Sequence, residues 1–154
     1  MKLTCTNIGL NLEVEQELLD ELYHEGMKHY PKEFGGLLVG YYSDDFKTCK
    51  ITTSIMPRKY KSSRYFFERG KEGLKQKLIE FYNSTPRLIY VGEWHTHPDS
   101  IPSPSNTDLN AMVEIAESPD VSIENPILVI LGVNKKEMKI GAFVYSKNKL
   151  LKYE

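Results

Sequence analysis

Apolar side chains recur at intervals of three and four residues in three stretches of the chain, and this periodicity predicts three amphipathic helices. The first covers residues 12–30 and ends before Pro31. The second carries its apolar face from Leu74 to Tyr82, and the third from Leu109 to Ala116. A proline also follows the second helix, at Thr85-Pro86, and proline is typical of positions where a helix cannot continue.

Short apolar runs between these helices predict strands. The predicted strands cover residues 34–42, 47–55, 65–67, 88–97, 127–133 and 139–146, whereas residues 57–64 and 98–104 are predicted to be loops. The polar segment Ser43-Asp44-Asp45 is expected to turn the first two strands into a hairpin. Because helices and strands are interleaved without repeats or linkers, we expect an α/β or mixed α+β fold in which residues 1–154 form a single domain.

Charge and composition exclude some classes of protein. The 20 basic and 21 acidic residues leave a formal net charge of -1, so the overall field does not favour a nucleic-acid partner. No apolar run approaches the roughly 18 residues of a membrane-spanning helix, and the first residues lack the apolar core of a signal peptide. The expected location is the cytoplasm, without a membrane partner. Cys5 and Cys49 are isolated and are expected to be reduced, partly buried thiols.

Three potential metal ligands stand out in the second half of the chain. His95 and His97 are two apart on a predicted strand, so both imidazoles project from the same face. Asp108 follows eleven residues after His97, at the start of the third predicted helix. Two imidazoles and one carboxylate are a typical catalytic zinc set, because the fourth tetrahedral position stays open for water.

Each half of this pattern also has a purely structural interpretation. The segment Ser105-Asn106-Thr107-Asp108 matches a capping box, in which Ser105 and Asp108 satisfy amides at the start of a helix. The two histidines could equally be a solvated strand end or a satisfied pair in the core. Their joint spacing, together with an acidic residue that precedes a glycine-rich strand, favours the metal site.

These residues carry a resemblance to a known family. The run His95-x-His97-Pro98, with Ser105 and Asp108 following at the expected distances, resembles the JAMM motif of the JAB/MPN metallopeptidases. The segment from Glu33 to Gly40 is similar to the family's E-x-x-G-x-L-x-G stretch. The order of predicted elements also agrees from about residue 10 to 146. The resemblance implies a cytidine-deaminase-like fold with a central mixed β-sheet flanked by helices. Thr96 departs from the serine that the family often has.

The resemblance also implies roles for these residues. One zinc ion per chain would be held by His95, His97 and Asp108, and Glu33 would be the general base for the attacking water. Ser105 would donate its hydroxyl hydrogen to the carbonyl oxygen that gains negative charge. Glu93 lies on the same predicted face as the histidines and is the alternative base or an outer carboxylate. The intervening Trp94 is expected to point into the core.

The substrate can be inferred only from the resemblance. Relatives hold the extended C-terminal tail of a protein substrate near a segment that corresponds here to a basic loop, which is otherwise ordinary solvated surface. Its candidate substrate-binding residues are Arg58, Lys59, Tyr60, Lys61 and Arg64. The tail could add to the protein as a strand.

The chain lacks the long insertions of eukaryotic relatives and resembles compact bacterial deconjugating proteins of anti-phage (CBASS-like) operons. The expected activity is a zinc-dependent peptidase or isopeptidase. It would cleave after the C terminus of a ubiquitin-like modifier or of a conjugated CD-NTase-type signalling enzyme. One alternative is a processing peptidase that acts on a sulfur-carrier protein in cysteine and sulfur metabolism. A non-catalytic MPN scaffold is the other, although such scaffolds typically lose a metal ligand.

Overall fold

Ten strands and three helices follow one another along the chain, and the computed structural model describes all residues 1–154. The strands are Lys2–Cys5 (β1), Leu10–Val14 (β2), Gly35–Tyr42 (β3), Thr48–Ile55 (β4), Tyr60–Ser63 (β5), Phe66–Arg69 (β6), Ile89–Pro98 (β7), Ile127–Val133 (β8), Met138–Ser146 (β9) and Lys149–Lys152 (β10). The helices are Gln16–Met27 (α1), Leu74–Tyr82 (α2) and Asn106–Glu117 (α3). None of the three helices has the length and apolarity that a membrane span requires.

Eight of the strands form one sheet in the order β1-β2-β4-β3-β7-β8-β9-β10. The pairs β2–β4 and β7–β8 are parallel, and the other neighbours are antiparallel. The sheet is therefore mixed, which confirms the predicted α+β class. Strands β5 and β6 form a separate antiparallel hairpin beside it. The histidine-bearing strand β7 lies near the middle of the large sheet, between β3 and β8.

The central sheet is buried on both faces, and β8 shows why. All seven residues of β8 are buried. Val129 and Leu131 belong to the main core cluster, to which α1 contributes three leucines, whereas Leu128 and Ile130 pack with Met112 of α3. Because strand side chains alternate between faces, helices on both sides explain the unbroken apolar sequence. Trp94 is 1% exposed and belongs to the main core, as predicted.

The sequence prediction was wrong at three places. Strands β1, β2 and β10 were not predicted, and the first helix begins at Gln16 rather than at residue 12. Residues 10–14 are extended because β2 pairs with β4, so Leu12 and Val14 are buried in a sheet rather than on a helix. The predicted basic loop contains strand β5, which pairs with β6 along its whole length. Cys5 and Cys49 are free thiols, as expected, although both are fully buried.

Gly35 is required where β3 passes β7. It pairs with His95, and a Cβ atom built on it would lie only 2.0 Å from the Trp94 carbonyl oxygen and 2.8 Å from the His95 Cβ. No flexible side-chain end is available to move away, so a methyl group here would force the two strands apart. That displacement would move the strand that carries a predicted metal ligand.

We therefore expect Gly35→Ala to lower the free energy of unfolding by about 3 kcal/mol, as overpacking of a closely packed interior does. Gly9→Ala is the control: Gly9 has a positive φ of 66° but no atom within 4 Å of an added Cβ, so only backbone strain of about 1 kcal/mol is expected. Urea unfolding of the two variants measures the difference. Equal losses would show that the contact with β7 is unimportant.

Candidate active site

Three side chains predicted to be metal ligands meet at one point. The Nε2 atoms of His95 and His97 are 3.1 Å apart. The Asp108 carboxylate lies 3.2 Å from His95 Nε2 through Oδ1 and 3.4 Å from His97 Nε2 through Oδ2. The side chains are only 12–13% exposed, so the three potential donor atoms face one another in a largely desolvated corner.

The spacing of these atoms suits a small tetrahedral ion. Zinc binds imidazole nitrogen and carboxylate oxygen at about 2.0–2.1 Å, so two of its tetrahedral ligands are separated by about 3.3–3.4 Å. The separation of 3.1 Å between the two imidazole nitrogens is close to this value, and each of them lies 3.2 or 3.4 Å from a different Asp108 oxygen. With one ligand atom taken from each residue, the three atoms lie within 4.8 Å of one another. Two imidazoles and a carboxylate also match the chemistry that zinc prefers, and His95, His97 and Asp108 are the one cluster of its kind in the chain.

Asp108 reaches the histidines because it lies in the first turn of α3. The predicted capping box is present: the Asp108 amide donates to Ser105 Oγ at 3.1 Å, and the Ser105 amide donates to Asp108 Oδ2 at 2.7 Å. The capping box and the cluster of potential metal ligands are therefore compatible, because the capping bonds fix the Asp108 carboxylate. Burial raises the pKa of Asp108, but hydrogen bonds from His95 and His97 and from the Ser105 amide hold it well below its usual range.

The orientation of His97 is set by the loop that follows it. Its Nδ1 lies 3.2 Å from the Ile101 carbonyl oxygen. A carbonyl can only accept, so Nδ1 carries a hydrogen, and in the neutral, metal-binding form of the ring Nε2 presents its lone pair to the cluster. Asp99 anchors the loop, because its carboxylate accepts hydrogen bonds from Tyr30 at 2.6 Å and from Arg64 at 2.8 Å. The loop after β7 thus prepares one imidazole for metal binding.

Glu33, the predicted base, is held by its backbone rather than by its side chain. Its amide donates to the Ser63 carbonyl at 2.8 Å, and Ser62 Oγ donates to the Glu33 carbonyl. The next residue, Phe34, exchanges two bonds with the fully buried Thr96, at 3.0 Å through Oγ1 and 2.8 Å through the Thr96 amide. The hairpin β5–β6 and strand β7 therefore fix Glu33 from opposite sides.

The environment of Glu33 suits a proton acceptor. It lines the same cleft as His95, Ser105 and Asp108, and no ion pair engages its carboxylate. Burial raises the pKa of Glu33 above that of an ordinary glutamate, while the two histidines oppose this shift. A carboxylate with a raised pKa accepts a proton from water more readily, which is the property of a general base.

The cleft itself has a volume of about 250 Å³ and extends away from the metal ligands. One wall is the hairpin segment Tyr65 to Arg69, and the other is α3 from Thr107 to Ile115. Tyr65 and Phe66 are 84% and 42% exposed, so the hairpin offers aromatic surface beside the cluster.

Glu93, the alternative base, has a different set of contacts. Its Oε2 accepts from Arg69 Nε at 2.8 Å, and its Oε1 accepts from Arg69 Nη2 at 2.7 Å and from Tyr90 at 3.0 Å. Both oxygens are thus engaged by donors, which makes Glu93 a poor proton acceptor. Sequence reasoning missed Arg69, because nothing in the chain pattern links it to a residue 24 positions away.

The five predicted substrate-binding residues lie outside the cleft lining. Lys59 pairs with Glu72 at 3.1 Å, and Arg64 pairs with Asp99 at 2.8 Å. The Tyr60 ring packs edge-on against Phe34. Arg58 lies against Gly73, and Lys61 is exposed on β5. The segment Tyr65 to Arg69 of the same hairpin lines the cleft instead.

Comparison with known proteins places this geometry in context. The family model described as prokaryotic homologs of the JAB domain matches residues 15–144. A solution structure of a Desulfitobacterium hafniense protein superposes with a TM-score of 0.67 at 15% identity, covering 92% of this chain and 88% of that one. At that identity the likeness concerns the fold.

Two curated relatives are similar in sequence. A protein of Enterobacter hormaechei subsp. hoffmannii named CD-NTase/cGAS isopeptidase is 34% identical over 120 residues, which is 77% of this chain and 66% of that protein. An Escherichia coli protein of the same name is 34% identical over 92 residues, which is 54% of this chain and 55% of that protein. The matches thus span between about half and two thirds of the relatives' lengths.

Proposed function

The chain belongs to the family of prokaryotic JAB domains, and from this premise we propose that it is a zinc-dependent isopeptidase. The proposed active site comprises the ligands His95, His97 and Asp108, the base Glu33 and the hydrogen-bond donor Ser105. Residues 1–154 would act as one catalytic domain. The observation that carries the proposal is the convergence of these three ligand side chains at the spacing of a tetrahedral ion, with Glu33 in the same cleft.

Each side chain has a defined task in peptide hydrolysis. A zinc ion held by the two histidines and Asp108 would supply Lewis acidity towards a water molecule and the scissile carbonyl. Glu33 takes a proton from the attacking water and returns it to the leaving amine. Ser105 donates its hydroxyl hydrogen to the carbonyl oxygen as negative charge develops there. The same Ser105 oxygen accepts the Asp108 amide, and a hydroxyl can accept and donate at once.

The proposed substrate is a protein joined through its C-terminal carboxyl group to an amine. The relatives named CD-NTase/cGAS isopeptidase support a nucleotide-cyclising enzyme of that class as the released protein, in cytoplasmic anti-phage defence. The cleft supports an extended tail, because β6 pairs only with β5 and its residues line the cleft. A tail lying in the cleft could therefore pair with the second edge of β6.

A cleavage assay tests the proposal. The zinc-loaded protein is incubated with a CD-NTase whose C terminus is joined to a carrier amine, and the cleavage position is determined by mass spectrometry. We expect release at the bond that follows the last CD-NTase residue. A ubiquitin-like modifier and a sulfur-carrier protein with a C-terminal extension are tested in parallel. Faster cleavage of the sulfur carrier would replace deconjugation by precursor processing.

Ser105 allows the catalytic and capping roles to be separated. Ser105→Ala is expected to lower kcat by about 10²–10³-fold through loss of the hydroxyl donor and to destabilise the protein by about 1 kcal/mol through loss of the cap. Ser105→Gly should show the same loss of kcat, but its free energy of unfolding should fall by only a few tenths of a kcal/mol. Ser105→Thr, which keeps the hydroxyl, is the control. If Ser105→Gly turned over at the wild-type rate, Ser105 would be a helix cap only.

A further inference from the structure

Arg69 occupies an unusual position on the wall of the cleft. Its guanidinium binds Glu93 through two hydrogen bonds, from Nε at 2.8 Å and from Nη2 at 2.7 Å, and Tyr90 donates a third bond to Glu93. The two charged side chains are 23% and 12% exposed. A bidentate pair of this kind holds the guanidinium plane in one orientation. Arg69 is therefore already fixed before any ligand arrives.

One edge of this guanidinium remains free. The bonds to Glu93 use Nε and Nη2, and Nη1 donates to no group of the protein. The structure contains no buried side-chain nitrogen or oxygen without a partner, so Nη1 must reach solvent. Arg69 lines the cleft, and the free donor edge is thus available to a ligand in it.

The charges around the cleft indicate what this donor would bind. The Arg69 charge is balanced by Glu93, while four further carboxylates line the cleft: Glu33, Glu68, Asp108 and Glu114. Even with the two positive charges of a bound zinc ion, these four carboxylates leave the cleft lining negative, and their combined field opposes an anionic group. A neutral carbonyl oxygen accepts a hydrogen bond without that penalty, so a peptide main chain suits this donor better than an acidic side chain does.

The partner of Arg69 lies close to the metal ligands along the sheet. Glu93 precedes His95 by two residues on β7 and shares its face, which corresponds to about 7 Å along the strand. We therefore expect a contact with Arg69 within the last few residues of a tail whose scissile bond lies at the cluster.

Resting on the proposed function, we propose that Arg69 is a substrate-binding residue that donates a hydrogen bond from Nη1 to a main-chain carbonyl of the C-terminal tail. Glu93 and Tyr90 are its positioning residues. The contact recognises the extended main chain of the tail rather than its side chains. It selects a flexible, strand-like C terminus over a helical one, whose carbonyls are already bonded.

This contact is tested by comparing how a set of peptides binds to the protein with Arg69 and to the protein without it. The probe is a hexapeptide with the C-terminal sequence of a CD-NTase, joined through its terminal carboxyl group to the amine of a short carrier peptide. Its analogues replace each of the last three peptide bonds of the hexapeptide in turn by an alkene that lacks the carbonyl oxygen. Binding is measured by calorimetry to zinc-loaded protein carrying Glu33→Gln, which keeps the probe intact. The same measurements are made with Arg69→Gln added. Arg87→Gln, an exposed arginine outside the cleft, is the matched control.

We expect one alkene position to weaken binding about 10- to 100-fold in the protein that retains Arg69, the usual effect of losing a hydrogen bond to a charged group. The same alkene should change binding less than about twofold once Arg69→Gln is present. Arg87→Gln should leave the alkene effect intact. Arg69→Lys, which keeps the charge but not the planar fork, should lose most of it.

Two results would overturn the inference. Equal weakening by the alkenes with and without Arg69 would mean that this residue only holds the hairpin, and failure of the unmodified probe to bind would mean that the cleft does not hold the tail. Cleavage of the full conjugate by the wild-type protein is measured separately. Cleavage without an Arg69-dependent peptide effect would leave the proposed function standing while removing this contact.

Discussion

Glu33→Gln is expected to retain one zinc ion per chain and to lose about 10²–10⁴-fold in kcat, the usual contribution of a positioned general base. Glutamine has nearly the same shape, so the backbone bonds of Glu33 to Ser62 and Ser63 should persist. What disappears is the ability to accept a proton from water. The kcat for cleavage of the conjugate and the zinc content per chain are measured on the same preparation.

The control for this prediction lies in the same cleft. Glu68 is an exposed carboxylate on β6 without an ion pair, and Glu68→Gln removes the same charge farther from the cluster. We expect its kcat to stay within about threefold of wild type, since screened surface charges contribute little. Wild-type-like turnover by Glu33→Gln would exclude Glu33 as the base and would direct attention to Glu93.

The local part of the candidate site could be predicted because its geometry follows from short-range rules. Residues that are two apart on a strand project from the same face, so the side chains of His95 and His97 had to lie side by side. A capping box fixes a side chain at the start of a helix, and this put Asp108 in a definite orientation. The only long-range requirement was that the loop after β7 return α3 to the same face.

Glu33 came from the family resemblance, and the structure supplies the physical reason for its placement. Residue 33 is brought to the histidines by the β3–β7 pairing, in which Gly35 faces His95. No local pattern contains that register. The glycines of the segment are the one visible trace, because only a residue without a side chain allows the Trp94 carbonyl to approach so closely.

What the sequence could not reveal depends on pairing between distant segments. The short strands β1, β2 and β10 carry weak apolar patterns, and tertiary contacts decide their conformation. The basic residues after Pro57 suggested a substrate loop; Lys59 pairs with Glu72 and Arg64 with Asp99, and their role towards a substrate stays a prediction. The Arg69–Glu93 pair likewise exists only once the hairpin lies beside β7.

The dual role of Asp108 leads to the second prediction of large effect. Asp108→Asn keeps an oxygen that can accept the Ser105 amide, so the N-terminal cap of α3 should survive in the apo protein. An amide is a much weaker zinc ligand than a carboxylate, and loss of one of three protein ligands should abolish stoichiometric zinc after dialysis. Asp108→Ala and His95→Ala should lose the metal in the same way, whereas Glu33→Gln should keep it.

Thermal unfolding with and without zinc makes this comparison quantitative. Zinc at 1,000 times its dissociation constant stabilises a folded protein by about 4 kcal/mol, which for a chain of this size raises Tm by roughly 10 °C. The wild-type protein and Glu33→Gln should show this rise, and the three ligand variants should not. Because Asp108→Asn preserves the cap, a missing rise in that variant cannot be attributed to a frayed α3. If both His95→Ala and Asp108→Asn retained stoichiometric zinc, these side chains would not form a metal centre. The proposed hydrolytic mechanism would then be excluded.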